Sequence, residues 1–223
     1  MVLLHGLEHD RIPPVVSTDG DALADVRAHQ RSLRVLADTL RTSGFAAVPA
    51  RVGGGERLHR FERESTGGKV IIDVLAPEGL GPKTDLTTVP PGRTIEVPGG
   101  RQALNRSEPV RVRHLERSAA MLRPNLLGAI VGKATACRLP HGDTDRHYRD
   151  LAFLLSLVED AAPLAAEVHS KKPGARKDRS RLAGAADLLD EQYAWAWALL
   201  ADEADRAQGR DVFAQLLTAP ARH

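Results

Sequence analysis

The stretch Leu58-His59-Arg60-Phe61-Glu62-Arg63-Glu64-Ser65-Thr66-Gly67-Gly68-Lys69-Val70-Ile71-Ile72-Asp73-Val74-Leu75 decides how the chain is read. Leu58–Arg63 and Lys69–Leu75 are of strand length, and Ser65-Thr66-Gly67-Gly68 between them carries turn chemistry. Together they predict a β-hairpin. The second strand is apolar around one carboxylate, Asp73. An ionised carboxylate in such a run is costly to bury unless it is paired or binds a cation. An aspartate in a strand can also face water at a sheet edge, and both readings stay open on sequence alone.

Upstream, Asp19-Gly20-Asp21 leads into the short apolar run Ala22–Val26. Residues i and i+2 of a strand point to one side, so Asp19 and Asp21 project together. Gly20 between them lets a ligand approach closely. Two carboxylates on one strand and a third on a neighbour can hold Mg²⁺ through oxygen ligands and substrate phosphates. The same D-x-D pattern also occurs in turns that bind nothing. Val2–Leu4 reads as a brief strand ending at His5-Gly6. A strand that ends in glycine and opens a short helix exposes backbone N–H groups suited to a phosphate.

Further strand candidates are Phe45–Val48, Thr94–Val97 and Val110–Leu115, with a Pro/Gly-rich connection over Pro77–Pro91. Ala28–Thr42 predicts an amphipathic helix, because Leu33, Leu36, Ala37 and Leu40 recur at helical spacing and Gly44 follows. From Arg123-Pro124 onward the periodicity is helical. Helices are expected over Asn125–Cys137, Asp145–Val158, Pro163–Ser170, Arg179–Leu189, Glu191–Ala207 and Asp211–Leu217. Strands first and helices afterwards predict an α+β fold. The expected division is a sheet domain over 1–118 and a helical domain over 119–223.

Leu126, Ile130, Lys133 and Cys137 share one helical stripe, so Lys133 lies on the apolar side of its helix. It must snorkel to water or meet an anion. Asp150 enters the run Leu151–Val158, which predicts a helix buried all round; Arg149 is one candidate partner. Lys171–Arg181 is strongly cationic. It reads either as a solvated loop and helix start or as a contact for an RNA backbone. Trp195 and Trp197 read as helix packing. His141 and His147 do not stand at a metal-ligating spacing.

Composition narrows the classes. Of 223 residues, 42% are apolar and 27% charged, which predicts a globular chain. With 31 basic against 29 acidic side chains, the +2 balance excludes a strongly cationic nucleic-acid binder but leaves room for a local basic patch. One cysteine, Cys137, excludes an intrachain disulfide framework and a multi-cysteine zinc site. No apolar run reaches the ~18 residues of a membrane span, and Val2-Leu3-Leu4 is too short for a signal-peptide core. A soluble cytoplasmic protein with no membrane partner is expected.

The order of Gly6, Asp19-Gly20-Asp21, His59-Arg60-Phe61, Ile72-Asp73-Val74-Leu75, Leu127-Gly128-Ala129-Ile130-Val131-Gly132-Lys133 and Arg149-Asp150-Leu151 resembles the polymerase-β-like nucleotidyltransferases. It is most similar to those grouped with the AbiEii/AbiGii toxins of toxin–antitoxin systems. The resemblance spans roughly residues 1 to 160 and implies a small mixed β-sheet nucleotidyltransferase core followed by a C-terminal helical bundle. It implies transfer of a nucleoside monophosphate from an NTP to an acceptor hydroxyl, with RNA such as a tRNA 3′ end as a candidate acceptor, Mg²⁺ as cofactor and a cognate antitoxin as partner. Asp19, Asp21 and Asp73 become metal ligands, with Asp73 also a candidate base. Gly6 becomes a phosphate-binding residue, Lys133 a nucleotide-phosphate contact, and Asp150 the group that orients Lys133 or the acceptor. Two alternatives are a catalytically silent nucleotide- or RNA-binding regulatory homologue and a small-molecule nucleotidyltransferase of the antibiotic-modifying kind. The silent alternative is supported by His5-Gly6 where the family has Gly-Gly or Gly-Ser, and by Val15–Thr18 where an arginine commonly stands.

Overall fold

The alternation of Val70, Ile72, Val74 and Ala76 against Ile71, Asp73 and Leu75 organises the first half of the chain. The computed structural model describes residues 1–52, 55–139 and 144–220, and His141 lies outside them. In chain order the first elements are α1 (Val2–Glu8), β1 (Asp19–Leu23), α2 (Ser32–Thr42), β2 (Ala46–Val52), β3 (Gly55–Ser65) and β4 (Gly68–Pro77). Then come β5 (Glu96–Val97), α3 (Gly100–Asn105), β6 (Ser107–His114) and β7 (Arg117–Pro124). The last are α4 (Leu126–Ala136), α5 (Thr144–Ser156), α6 (Ala162–Val168), α7 (Ala175–Glu191), α8 (Trp195–Ala198) and α9 (Glu203–Leu217). The fold is α+β, a small mixed sheet followed by C-terminal helices. Among the described residues no helix is long and apolar enough to cross a membrane.

The chain divides into Ser17–Leu104, and Met1–Val16 together with Asn105–His223. The expected boundary at 118 falls instead inside the β6–β7 hairpin. The sheet unit has strand order β1-β4-β3-β2, with β1 parallel to β4 and the other pairs of that order antiparallel, and the short β5 pairs in parallel with the end of β4. One face buries Phe61, Val74 and Ala76 against Leu33 and Ala37 of α2, together with Ala24, Val26 and Phe45. The long connection after β4 is tied back onto the sheet. Leu58 N–H donates to Arg93 O at 3.0 Å, and Ala76 N–H to Ile95 O at 3.0 Å. The buried hydroxyls of Thr88 and Thr94 donate to Leu58 O and Val74 O.

The helical unit is built around α5, whose Leu151–Ser156 are all buried. α4, α8, α9 and α1 pack on it, and α7 packs on α4 and α9. Val2–Glu8 is helix rather than the expected strand. A three-residue apolar run does not distinguish the two periods, and the buried pair His5 and Gly6 shows which face turns inward. The strand β7 was not expected either: Ser118-Ala119-Ala120 has little β-propensity and forms only as the partner of β6. The single helix expected over Glu191–Ala207 is broken. Asp202 caps a new helix by accepting from Ala204 N–H at 2.8 Å, and Tyr193 leaves the helix to stack on Tyr148 at 3.8 Å.

His5 is only 1% exposed, and its Nε2–H donates to Pro124 O at 3.0 Å. Burial, and after it the nearby Arg123 guanidinium, push its pKa from 6.5 down to about 4. The unfolded chain therefore takes up a proton below about pH 6.5 while the folded chain stays neutral to about pH 4. This contribution to stability is whole above that window and is lost as pH falls through it. Trp195 and Trp197 both lie in this unit, so urea unfolding followed by tryptophan fluorescence reads it. Between pH 7 and pH 4 the wild type should lose about 3 kcal/mol more than His5→Gln.

Candidate functional site

The register of β1, β4 and β3 assembles the candidate site. Asp21 is the lateral partner of Asp73 in the parallel β1–β4 pair, and Arg60 is its partner across the antiparallel β3–β4 pair. Laterally paired residues point to the same face, and Asp19 follows Asp21 by the two-residue period. Asp19, Asp21, Asp73 and Arg60 thus share the face opposite Phe61, Ile72 and Val74. Asp19–Asp21 are exposed, and Asp19 N–H donates to Ser17 Oγ at 3.1 Å, which steadies the entrance of the strand. At the other end of this face α3 closes in. A Cβ on Gly100 would lie 2.8 Å from Pro77 Cα and 3.3 Å from Leu23 Cδ1, so only glycine lets the helix approach so closely.

Asp73 does have a partner. Arg60 Nε donates to its Oδ1 at 3.0 Å and Nη2 to its Oδ2 at 2.9 Å, a two-pronged fork. The Asp73 side chain is 17% exposed and that of Arg60 36%. His59, next to Arg60 in the strand, is buried. Burial pushes its pKa down, against the Asp73 carboxylate, which pulls it up. Arg60 is the residue whose role was not foreseen. Its signal is in the sequence, because counting outward from the Thr66-Gly67 turn sets it opposite Asp73.

Mg²⁺ is held through one or two carboxylates plus substrate phosphates rather than by an all-protein cage. Asp19 and Asp21, exposed on one side of one strand, meet that donor requirement. Asp73 meets it only if the Arg60 fork opens. Among the described residues no three His, Cys, Asp or Glu side chains gather closely enough to hold a metal ion by themselves.

Lys133 and Asp150 belong to the helical unit. The Lys133 Nζ lies 2.6 Å from Asp150 Oδ2, with side chains 17% and 11% exposed. Lys133 therefore does not reach out to bulk water, and Asp150 is paired through it. One turn beyond Lys133, burial pushes the Cys137 thiol up to about 12, which leaves it a small core residue. Gly6 is not at the end of a strand. It sits inside α1, where a Cβ would come 2.5 Å from Arg11 O and 3.0 Å from the Phe153 ring. Close packing of α1 on α5 accounts for this glycine, and the expected strand–glycine turn is absent. In the cationic run, Lys171, Lys172, Arg176 and Lys177 are exposed. Arg179 donates to Val168 O and Arg181 pairs with Asp178.

Comparison with protein-family models, curated proteins and solved structures gave no significant match.

The Lys133–Asp150 pair yields a stability test. Lys133→Met leaves a carboxylate buried without its counter-charge, which should cost about 3 kcal/mol in urea unfolding read by tryptophan fluorescence. Replacing both partners, as Lys133→Met with Asp150→Leu, removes the uncompensated charge and should recover most of that loss.

Proposed function

We propose that this chain is a Mg²⁺-dependent nucleotidyltransferase that moves a nucleoside monophosphate from an NTP to an acceptor hydroxyl. One observation carries the reading: the β1–β4–β3 register sets Asp19, Asp21 and Asp73 on the face of a small mixed sheet that is not its core. The resemblance to AbiEii-like toxins supplies the reaction class, RNA such as a tRNA 3′ end as acceptor, and a cognate antitoxin as partner. Mg²⁺, when bound, neutralises the triphosphate oxygens as charge develops on them. Asp19 and Asp21 are the residues to hold it. Asp73 takes the proton of the attacking hydroxyl as its oxygen bonds to the α-phosphorus and pyrophosphate leaves. Arg60 holds that carboxylate in orientation until the triphosphate arrives. Lys133 and Asp150 enter through the resemblance alone, as a phosphate contact and the group that positions it.

A second reading, a catalytically silent nucleotide- or RNA-binding protein, is favoured by the Arg60–Asp73 fork, which occupies both oxygens of the third carboxylate.

Turnover of labelled NTP with Mg²⁺, with and without bulk tRNA, tests the proposal. Wild type should release pyrophosphate. Asp19→Asn and Asp21→Asn should each lose activity at least a hundredfold, ~2.7 kcal/mol of transition-state stabilisation. Both positions are exposed, so thermal unfolding should stay near wild type. Normal turnover in both variants places the active site elsewhere. Nucleotide binding without turnover in the wild type selects the silent reading.

A further inference from the structure

The β6–β7 hairpin is longer than the helical unit needs. Eight residue pairs run from Ser107↔Pro124 to His114↔Arg117, closed by Leu115-Glu116. At ~3.4 Å per residue this ribbon reaches about 27 Å. A two-stranded ribbon is marginal in water by itself, and this one is anchored only at its base. There Arg123 is buried and pairs with Glu8 and Glu108, and Asn125 N–H donates to Arg106 O at 2.7 Å. Further out, Pro109, Arg111 and Arg113 share one face with their partners Leu122, Ala120 and Ser118, and all six are exposed.

The charges divide the same way. At the base, Arg106 pairs with Glu167 and Asp178, and Arg123 with Glu8 and Glu108, so each of these guanidinium groups has a counter-charge within the unit. In the outer half, Arg111, Arg113 and Arg117 make no ion pair among the described residues, and Glu116 is the one acid beside them. The bond from Arg106 to Asp178, at 3.0 Å, sets the first turn of α7 against the ribbon's base. The exposed Lys171, Lys172, Arg176 and Lys177 flank that turn. Two cationic sets that make no ion pair among the described residues thus stand on one unit, one along a narrow ribbon and one at its foot.

We propose that the ribbon docks into the major groove of double-stranded DNA, with Arg111 and Arg113 directed at the groove floor and the cations of 171–177 along the phosphate backbone. The B-form major groove, about 12 Å wide, admits a two-stranded β-ribbon, and arginine is matched to guanine edges and phosphates there. The A-form major groove of an RNA duplex is too narrow for one. Ser118, Ala119 and Ala120 keep the second strand thin enough to enter. A protein partner would call for an apolar outer half. The large exposed apolar side chains form no continuous patch on this ribbon: Leu115 stands alone at the tip and Met121 and Leu122 lie toward the base, with Arg111, Arg113 and Arg117 between them. The inference stands independently of the nucleotidyltransferase reading.

Fluorescence anisotropy of a labelled 20-base-pair DNA duplex with the full chain decides it. Wild type should bind at 50 mM salt and weaken steeply toward 200 mM, as counterion release requires. Arg111→Ala with Arg113→Ala should weaken binding at least tenfold while circular dichroism stays unchanged, because both side chains are exposed and unpaired. Lys171→Ala with Lys172→Ala should lower the salt slope by about two. The proposal is overturned by no binding at 50 mM salt, by unchanged affinity in the folded arginine variant, or by equal or tighter binding of an RNA duplex or of polyglutamate.

Discussion

β4 has a strand on each side, so its two-residue alternation is imposed on the whole sheet unit. Val70, Ile72, Val74 and Ala76 turn toward α2, and Ile71, Asp73 and Leu75 turn away. A slip of one residue would drive Asp73 under α2 and push Ile72 and Val74 into water. Full burial of such an apolar side chain contributes about 1.5–3 kcal/mol, whereas a partly exposed ion pair contributes about 0–1. Burial therefore sets the register, and the Arg60 fork adjusts the carboxylate within it. The candidate site is a consequence of the core on the other side of the sheet.

The helical unit shows the same priority with a different outcome. α5 is enclosed by apolar neighbours, and a carboxylate on it cannot be left to water. Asp150 meets Lys133 of α4, and the pair ties the two helices at one register. Asp178 repeats the solution on α7, where it receives Arg106 and Arg181. Such pairs contribute little net stability, because desolvation offsets most of the attraction. Their effect is to penalise any packing that separates the partners. Of the basic side chains that serve this purpose, Arg106 lies at the base of the β6–β7 ribbon; Arg111, Arg113 and Arg117, farther out on the ribbon, make no such pair among the described residues.

How much of this was legible varied with the local signal. The hairpin around Thr66-Gly67, the amphipathic α2 and the apolar α4 and α5 each had a clear period and clear stops. The α1 segment had three apolar residues and no period. Strand β7 had alanines where β-formers belong, and its conformation comes from pairing with β6. The break before α9 depends on a cap at Asp202 and on the Tyr148–Tyr193 stack, which joins residues far apart in sequence. At the candidate site, the side shared by Asp19 and Asp21 followed from the two-residue period. That Asp21 lies opposite Asp73 depends on which strand β1 chooses as a neighbour, and no local pattern encodes that choice.

The Arg60–Asp73 fork bears on both readings of the sheet face, and its energetics limit what it can exclude. Arg60 is more than a third exposed, so water screens the pair and opening it costs about 1 kcal/mol or less. A triphosphate brought beside Asp19 and Asp21 is a stronger partner for a guanidinium than a single carboxylate, since it presents more charge and several acceptor oxygens. Arg60 would then turn from Asp73 to phosphate, and the carboxylate would be released as the reaction needs it. On the proposed reading, the fork is a latch that holds the carboxylate's orientation until a triphosphate draws the guanidinium away. Its presence in the free protein weighs less against activity than its two good hydrogen bonds first suggest.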